Sequence, residues 1–140
     1  MSVPTLRSLE QAFRESWSLE TCDPVDQHEW TPDNPSRGQC GATALVLADL
    51  LGGVLLEARV YRGGVQVEWH YWNRLPSGFD VDLTREQFTD GETFSEPVEV
   101  AALPPGPAIA AGYRLLAERV RDRLGASAAA AGKLVADSAA

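Results

Sequence analysis

Three features of the chain predict an α+β fold in which a cysteine-bearing central helix packs on a small antiparallel sheet. Cys40 to Leu51 is almost wholly apolar and ends at Gly52-Gly53, the pattern of a buried helix stopped by a glycine C-cap. Val54 to Arg62 and Val65 to Leu75 are rich in β-branched and aromatic residues and flank Gly63-Gly64, a two-residue hairpin signal. Phe79 to Leu83 follows Pro76-Ser77-Gly78 closely enough to return as a third antiparallel strand.

The remaining elements follow from the same periodicities. Thr5 to Trp17 carries Leu6, Leu9, Ala12, Phe13 and Trp17 at helical spacing, so it forms an amphipathic first helix. From Ser18 to Arg37 the periodicity vanishes and Pro24, Pro32 and Pro35 interrupt a polar stretch, which predicts a long ordered loop. Thr84-Arg85-Glu86-Gln87 matches a capping box, so a short helical turn should carry Phe88 inward. Ser95 to Leu103 fits neither period. Pro104-Pro105-Gly106-Pro107 breaks the chain, after which Ile109, Tyr113, Leu116, Val120 and Leu124 mark one stripe of a terminal helix that Gly125 is expected to end. The organisation predicted is one domain over 1–125 and an alanine-rich tail over 126–140, with no internal repeat.

Composition narrows the function classes. At 140 residues, 44% hydrophobic and 23% charged, the chain can bury a core without staples. A net charge of −8 argues against nucleic acid as a partner, because phosphate recognition needs a basic footprint. No eighteen-residue apolar run and no basic-then-apolar start occur, so no membrane partner is expected and the cytoplasm is the expected location. Two cysteines, Cys22 and Cys40, are too few for a secreted disulfide framework. Gly52-Gly53 and Gly63-Gly64 lack the surroundings of a phosphate loop, so neither a nucleotide nor any other cofactor is expected.

The chemistry is carried by Cys40, His70 and Asp82. Cys40 opens a helix, where the partial positive charge of the N-terminus is expected to lower a thiol pKa, and Gly38 and Gly41 permit close backbone approach. Alternation puts His70 on one strand face with Gln66, Glu68 and Trp72, and Val65, Val67, Trp69 and Tyr71 on the other. A three-residue loop at Pro76-Ser77-Gly78 makes Trp72 face Asp82, so that Asp82 lies diagonally from His70 within reach of its ring. Asp80 then opposes Arg74 as an ordinary ion pair. Asn73 is a second candidate orienter, but it projects from the other face. The Cys40 N–H, another early helix N–H or the Gln39 side chain would supply oxyanion donors. Trp17, Trp30 and Trp72 are candidates to line a substrate cleft, against the commoner use of tryptophan as a core anchor.

Gly38-Gln39-Cys40, His70-Tyr71-Trp72-Asn73-Arg74-Leu75 and Asp82-Leu83-Thr84-Arg85-Glu86-Gln87-Phe88 resemble the bacterial YunG-like family, and the similarity covers most of Leu9 to Phe88. More broadly, His70-Tyr71-Trp72 followed by Gly78-Phe79-Asp80-Val81-Asp82-Leu83-Thr84 is similar to segments of transglutaminase-like and papain-like thiol enzymes. Gly41 departs from that pattern, in which an aromatic residue often follows the nucleophile. The broader likeness implies Cys40 as nucleophile, His70 as base and Asp82 as orienter. It also implies a cysteine-dependent hydrolase or acyltransferase acting on an amide, peptide or related acyl bond, with a small-molecule or peptide acyl substrate.

Two other readings compete. The same fold could serve as a noncatalytic small-molecule- or protein-binding module. Cys22, His28, Cys40 and His70 could be drawn together around zinc, but without CxxC or HxxxH spacing no metal is expected. A homodimer through the terminal helix is a further expectation.

Overall fold

The computed structural model describes residues 4–101 and 107–139, with side chains for these except 107–109 and 127–139. Helix α1 spans Leu6–Ser16 and is capped by the Thr5 hydroxyl, which accepts from the Ser8 N–H at 3.0 Å. The polar stretch that follows is ordered as two 3-10 helices, Leu19–Thr21 and Pro24–Glu29, and an isolated bridge between Thr31 and Asn34. Helix α2 covers Cys40–Leu51, and Gly52 ends it at φ 72°. Strands β1 (Val54–Arg62) and β2 (Val65–Arg74) form the hairpin, and β3 (Asp80–Val81) pairs with the end of β2. Phe88 follows a 3-10 turn at Arg85–Gln87 and packs against His70, although Thr84 makes no side-chain cap.

The ambiguous stretch around Ser95 resolves into sheet. Strands β4 (Thr93–Phe94) and β5 (Val98–Val100) both pair antiparallel with β1 on the side away from β2. They escape sequence periodicity because two and three residues are too short to show alternation. The architecture is therefore α+β with a five-stranded antiparallel sheet centred on β1.

Helix α3 runs over Pro107–Ala139, so it passes through Gly125 where a stop is expected. One glycine inside a helix costs only about 1 kcal/mol, and the alanines that follow are the strongest helix formers. Pro104, Pro105 and Gly106 lie outside the described residues.

The sheet has two differently covered faces. Leu55, Tyr71, Asn73, Val81 and Val100 project toward the helices, where Leu9, Phe13, Trp17, Leu47, Leu116 and Val120 form the main core. Asn73 fastens α2 to this face by donating to the Ala44 carbonyl at 2.9 Å. Leu56, Ala58, His70, Trp72 and Phe94 occupy the opposite face, closed by Phe88.

Candidate functional site

The β2–β3 turn positions the first pair of residues. Gly78 N–H donates to Leu75 O at 2.9 Å and Leu75 N–H to Phe79 O at 2.8 Å, closing a three-residue loop, with Asn73 opposite Val81 and Arg74 opposite Asp80. This register leaves Asp82 diagonal to His70, and Nε2 of His70 lies 2.7 Å from Asp82 Oδ2. Burial works to raise the Asp82 carboxyl, but His70 and Arg85 outweigh it and hold the group below its usual range. Arg85 Nε donates to Asp82 at 2.7 Å while its guanidinium lies over the rings of Trp72 and Phe94. Asp80 pairs with Arg74 at 2.8 Å.

The environment of His70 differs from the polar face expected from alternation. The ring is fully buried, stacks on Trp72 with centroids 5.4 Å apart and meets the edge of Phe88 at 4.9 Å. The cause is the chain after β3, which folds back and lays Phe88 and Phe94 over this face. Nδ1 of His70 is buried and has no hydrogen-bond partner.

Cys40 stands at the N-terminus of α2, half-buried, on the wall of a cavity of about 510 Å³. Its helix packs on the sheet face opposite His70, and no hydrogen bond joins the two. Cys40 shares the cavity wall with Tyr71, the residue after His70 on β2. Burial pushes the thiol up to about 12; a backbone hydrogen bond from Tyr71 works against this, and Glu68, Asp26 and Asp82 add to it. The expected lowering by the helix N-terminus is therefore overridden by desolvation and carboxylates. Cys22, also on the cavity, is likewise raised to about 12 by burial and by Asp26 and Asp23, and its thiol donates to the Arg37 carbonyl at 3.3 Å.

Gln39 is fully buried and committed elsewhere. Its amide donates to Ser18 O at 3.0 Å and its oxygen accepts from the Thr21 hydroxyl at 2.7 Å, tying the start of α2 to the preceding loop. No side chain caps α2, so its first backbone N–H groups, at Cys40, Gly41 and Ala42, have no helical partner, and all three residues line the cavity.

None of the three candidate tryptophans lines the cavity. Trp17 is a core residue whose indole donates to the Thr43 hydroxyl at 3.0 Å, Trp30 donates to Pro35 O at 3.0 Å, and Trp72 donates to Asp80 at 3.1 Å. Trp69 and Tyr71 provide the aromatic wall instead. Arg37 is the other cavity residue that the sequence left unmarked. Its buried guanidinium holds Glu68 with two nitrogens at 2.8 and 3.3 Å, Asp26 at 3.0 Å and, more distantly, Glu29 at 3.5 Å. The placement of Glu68 on the polar strand face was its one sequence signal, because a buried carboxylate needs a cation. Among the described residues, no group of three or more His, Cys, Asp or Glu is arranged to hold a metal ion, and no helix is long and apolar enough to cross a membrane.

The model of the YunG protein family matches residues 5–125, taking in every element from α1 to the middle of α3 and every candidate residue named above. The chain belongs to the YunG family. A YunG relative, the uncharacterized protein YunG of Bacillus subtilis, is 35% identical over 92 residues, which is 66% of this chain and 65% of the relative. The match thus spans just under two thirds of that YunG protein. No solved structure matches the chain.

Proposed function

We propose that this YunG-family chain is a cysteine-dependent hydrolase or acyltransferase, with a papain-like or transglutaminase-like arrangement of Cys40, His70 and Asp82. The observation that carries this reading is the polarity of the His70 ring. Asp82 at 2.7 Å from Nε2 favours the tautomer with hydrogen on that nitrogen, which leaves the unpartnered Nδ1 lone pair free to act as a base. Cys40 shares with the neighbouring residue, Tyr71, the wall of a cavity large enough for an acyl group.

In this mechanism the ring swings toward the β2 edge and Nδ1 takes the thiol proton. The Cys40 sulfur attacks the acyl carbon, the carbonyl π bond opens, and the oxyanion is held by unpartnered N–H groups of the first turn of α2. Collapse breaks the C–N bond, and the proton passes from Nδ1 to the departing amine. Water or a second amine then attacks the thioester and gives its proton to Nδ1, and collapse breaks the C–S bond as Nδ1 returns the proton to the Cys40 sulfur. Asp82 sets the tautomer of the resting ring and stabilises the imidazolium formed when Nδ1 takes the proton.

A second reading, a noncatalytic binding module using the same cavity, is favoured by the raised thiol and the lack of a Cys40–His70 hydrogen bond. The pH dependence of Cys40 alkylation by iodoacetamide separates the two, measured in Cys22→Ser with and without His70→Ala. The thiol-enzyme reading expects an apparent pKa well below the free-cysteine value of about 8.5 that His70→Ala abolishes. A thiol inert below about pH 9 in both proteins would leave the binding module.

A further inference from the structure

We propose that the unpaired edge of β2 beside the cavity is a docking rail for an extended peptide segment carrying a lysine or arginine. The register defines the rail. Leu75 and Asn73 turn their backbone groups toward β3, and by the alternation of an antiparallel ladder Tyr71 and Trp69 turn theirs the same way. Strand β3 ends after two residues, so among the described residues no strand meets Trp69. Trp69, Tyr71 and Cys40 share the wall of the cavity. An incoming strand that pairs with Trp69 therefore lies along the wall that carries Cys40.

Exposed strand edges are ordinarily blunted by lysine or proline, and β2 has neither. Its outer half instead shows Val65, Val67 and Trp69, at 65%, 43% and 45% exposure. A register shift leaves Val67 as an extra residue opposite Val60, which bends the strand and confines the rail to a short stretch. Main-chain pairing with side-chain pockets on alternate residues is the usual economy of strand addition.

Charge decides the occupant. The cavity wall carries Asp23, Asp26, Glu29 and Glu68 against Arg37 and Arg62. Both guanidiniums already face carboxylates, Arg37 on Asp26, Glu29 and Glu68, and Arg62 on Asp90 and Glu92. The surplus is negative and lies beside an open indole face, so a cationic side chain is attracted by both. A second copy of the chain, at net charge −8, would bring the same acidic wall to the edge and be repelled.

The proposal rests on the thiol-centre reading for the fate of the bound segment, whereas docking is measured without turnover. The full chain carrying Cys40→Ser is titrated into a fluorescein-labelled heptapeptide of alternating valine and lysine. Its counterparts have glutamate for lysine, or a methylated central backbone nitrogen. The lysine peptide should bind, at least about tenfold more tightly than the glutamate peptide, with the N-methyl peptide weakened as much. Glu29→Gln and Trp69→Ala should each weaken binding about threefold or more, and the Trp69 amide should gain exchange protection. No binding at about 1 mM protein, indifference to charge reversal and to N-methylation, or a chain dimer that Trp69→Lys dissolves would each overturn the rail. Peptide binding with an unreactive Cys40 keeps the rail and removes the thiol reading. A low-pKa Cys40 with no peptide binding does the reverse.

Discussion

Single residues carry the sharpest expectations. Asp82 accepts from His70, Arg85 and the Thr84 N–H while largely buried, so Asp82→Asn should cost about 2 kcal/mol in urea unfolding at pH 7. The folded carboxyl sits below its unfolded range, so this stabilisation is present above about pH 4 and fades as pH falls through the folded value. The difference between wild type and Asp82→Asn should therefore shrink in acid. Cys22 has the opposite sign. Its folded thiol is held near 12, so its contribution is complete below about pH 8.5 and is lost as pH rises toward 12. Cys22→Ser, which keeps a hydroxyl donor for the Arg37 carbonyl, should lose less stability between pH 7 and 10 than the wild type. Gly38 adopts φ 71°, and a Cβ there would lie 2.4 Å from the Cys22 sulfur and 2.8 Å from Asp26 Cβ. Gly38→Ala should thus cost about 2 kcal/mol or more by calorimetry and disturb the cavity wall.

At the scale of elements, α2 is held by α3 on one side and by β2 and β1 beneath it, while α1 packs on α3 and reaches α2 through the Trp17–Thr43 hydrogen bond. Leu47 of α2 and Leu116 of α3 are both essentially without exposure in the main core, so Leu47→Ala or Leu116→Ala should cost about 3 kcal/mol in denaturant unfolding. The loop between α1 and α2 is held differently, through the buried Arg37. Arg37→Met removes the charge that faces Asp26, Glu29 and Glu68 and leaves those carboxylates mutually repelling. It should destabilise by about 3 kcal/mol, and Arg37→Lys should recover only part, since an ammonium cannot hold Glu68 with two nitrogens. A thermal melt of the two variants beside wild type checks this ordering.

For the whole molecule, β1 is the strand paired over most of its length on both sides among the described residues, with β2 on one and β4 and β5 on the other, whereas β2 meets β3 over two residues. The interior amides of β1 should be the slowest to exchange, and the outer half of β2 near Trp69 among the fastest in the sheet. Uniform protection across β1 and β2 in the free chain would contradict an open edge. The cavity lies at the same edge: Val67, Glu68, Trp69 and Tyr71 of β2 line it together with Cys40.

The sequence by itself determined the central helix from Cys40 to Leu51, the hairpin around Gly63-Gly64 and the β2–β3 register, because apolar periodicity, glycine caps and a three-residue turn are local signals. The diagonal contact of His70 with Asp82 follows from that register and was legible in advance. Long-range packing sealed His70 under Phe88 and Phe94, surrounded Cys40 with desolvating groups and carboxylates that raise it, and turned Trp69 rather than Trp17, Trp30 or Trp72 to the cavity. It also decided the ion cluster at Arg37 and the pairing of β4 and β5 with β1. Each of these depends on residues distant in the chain meeting in space, and burial and electrostatic environment have no local signature.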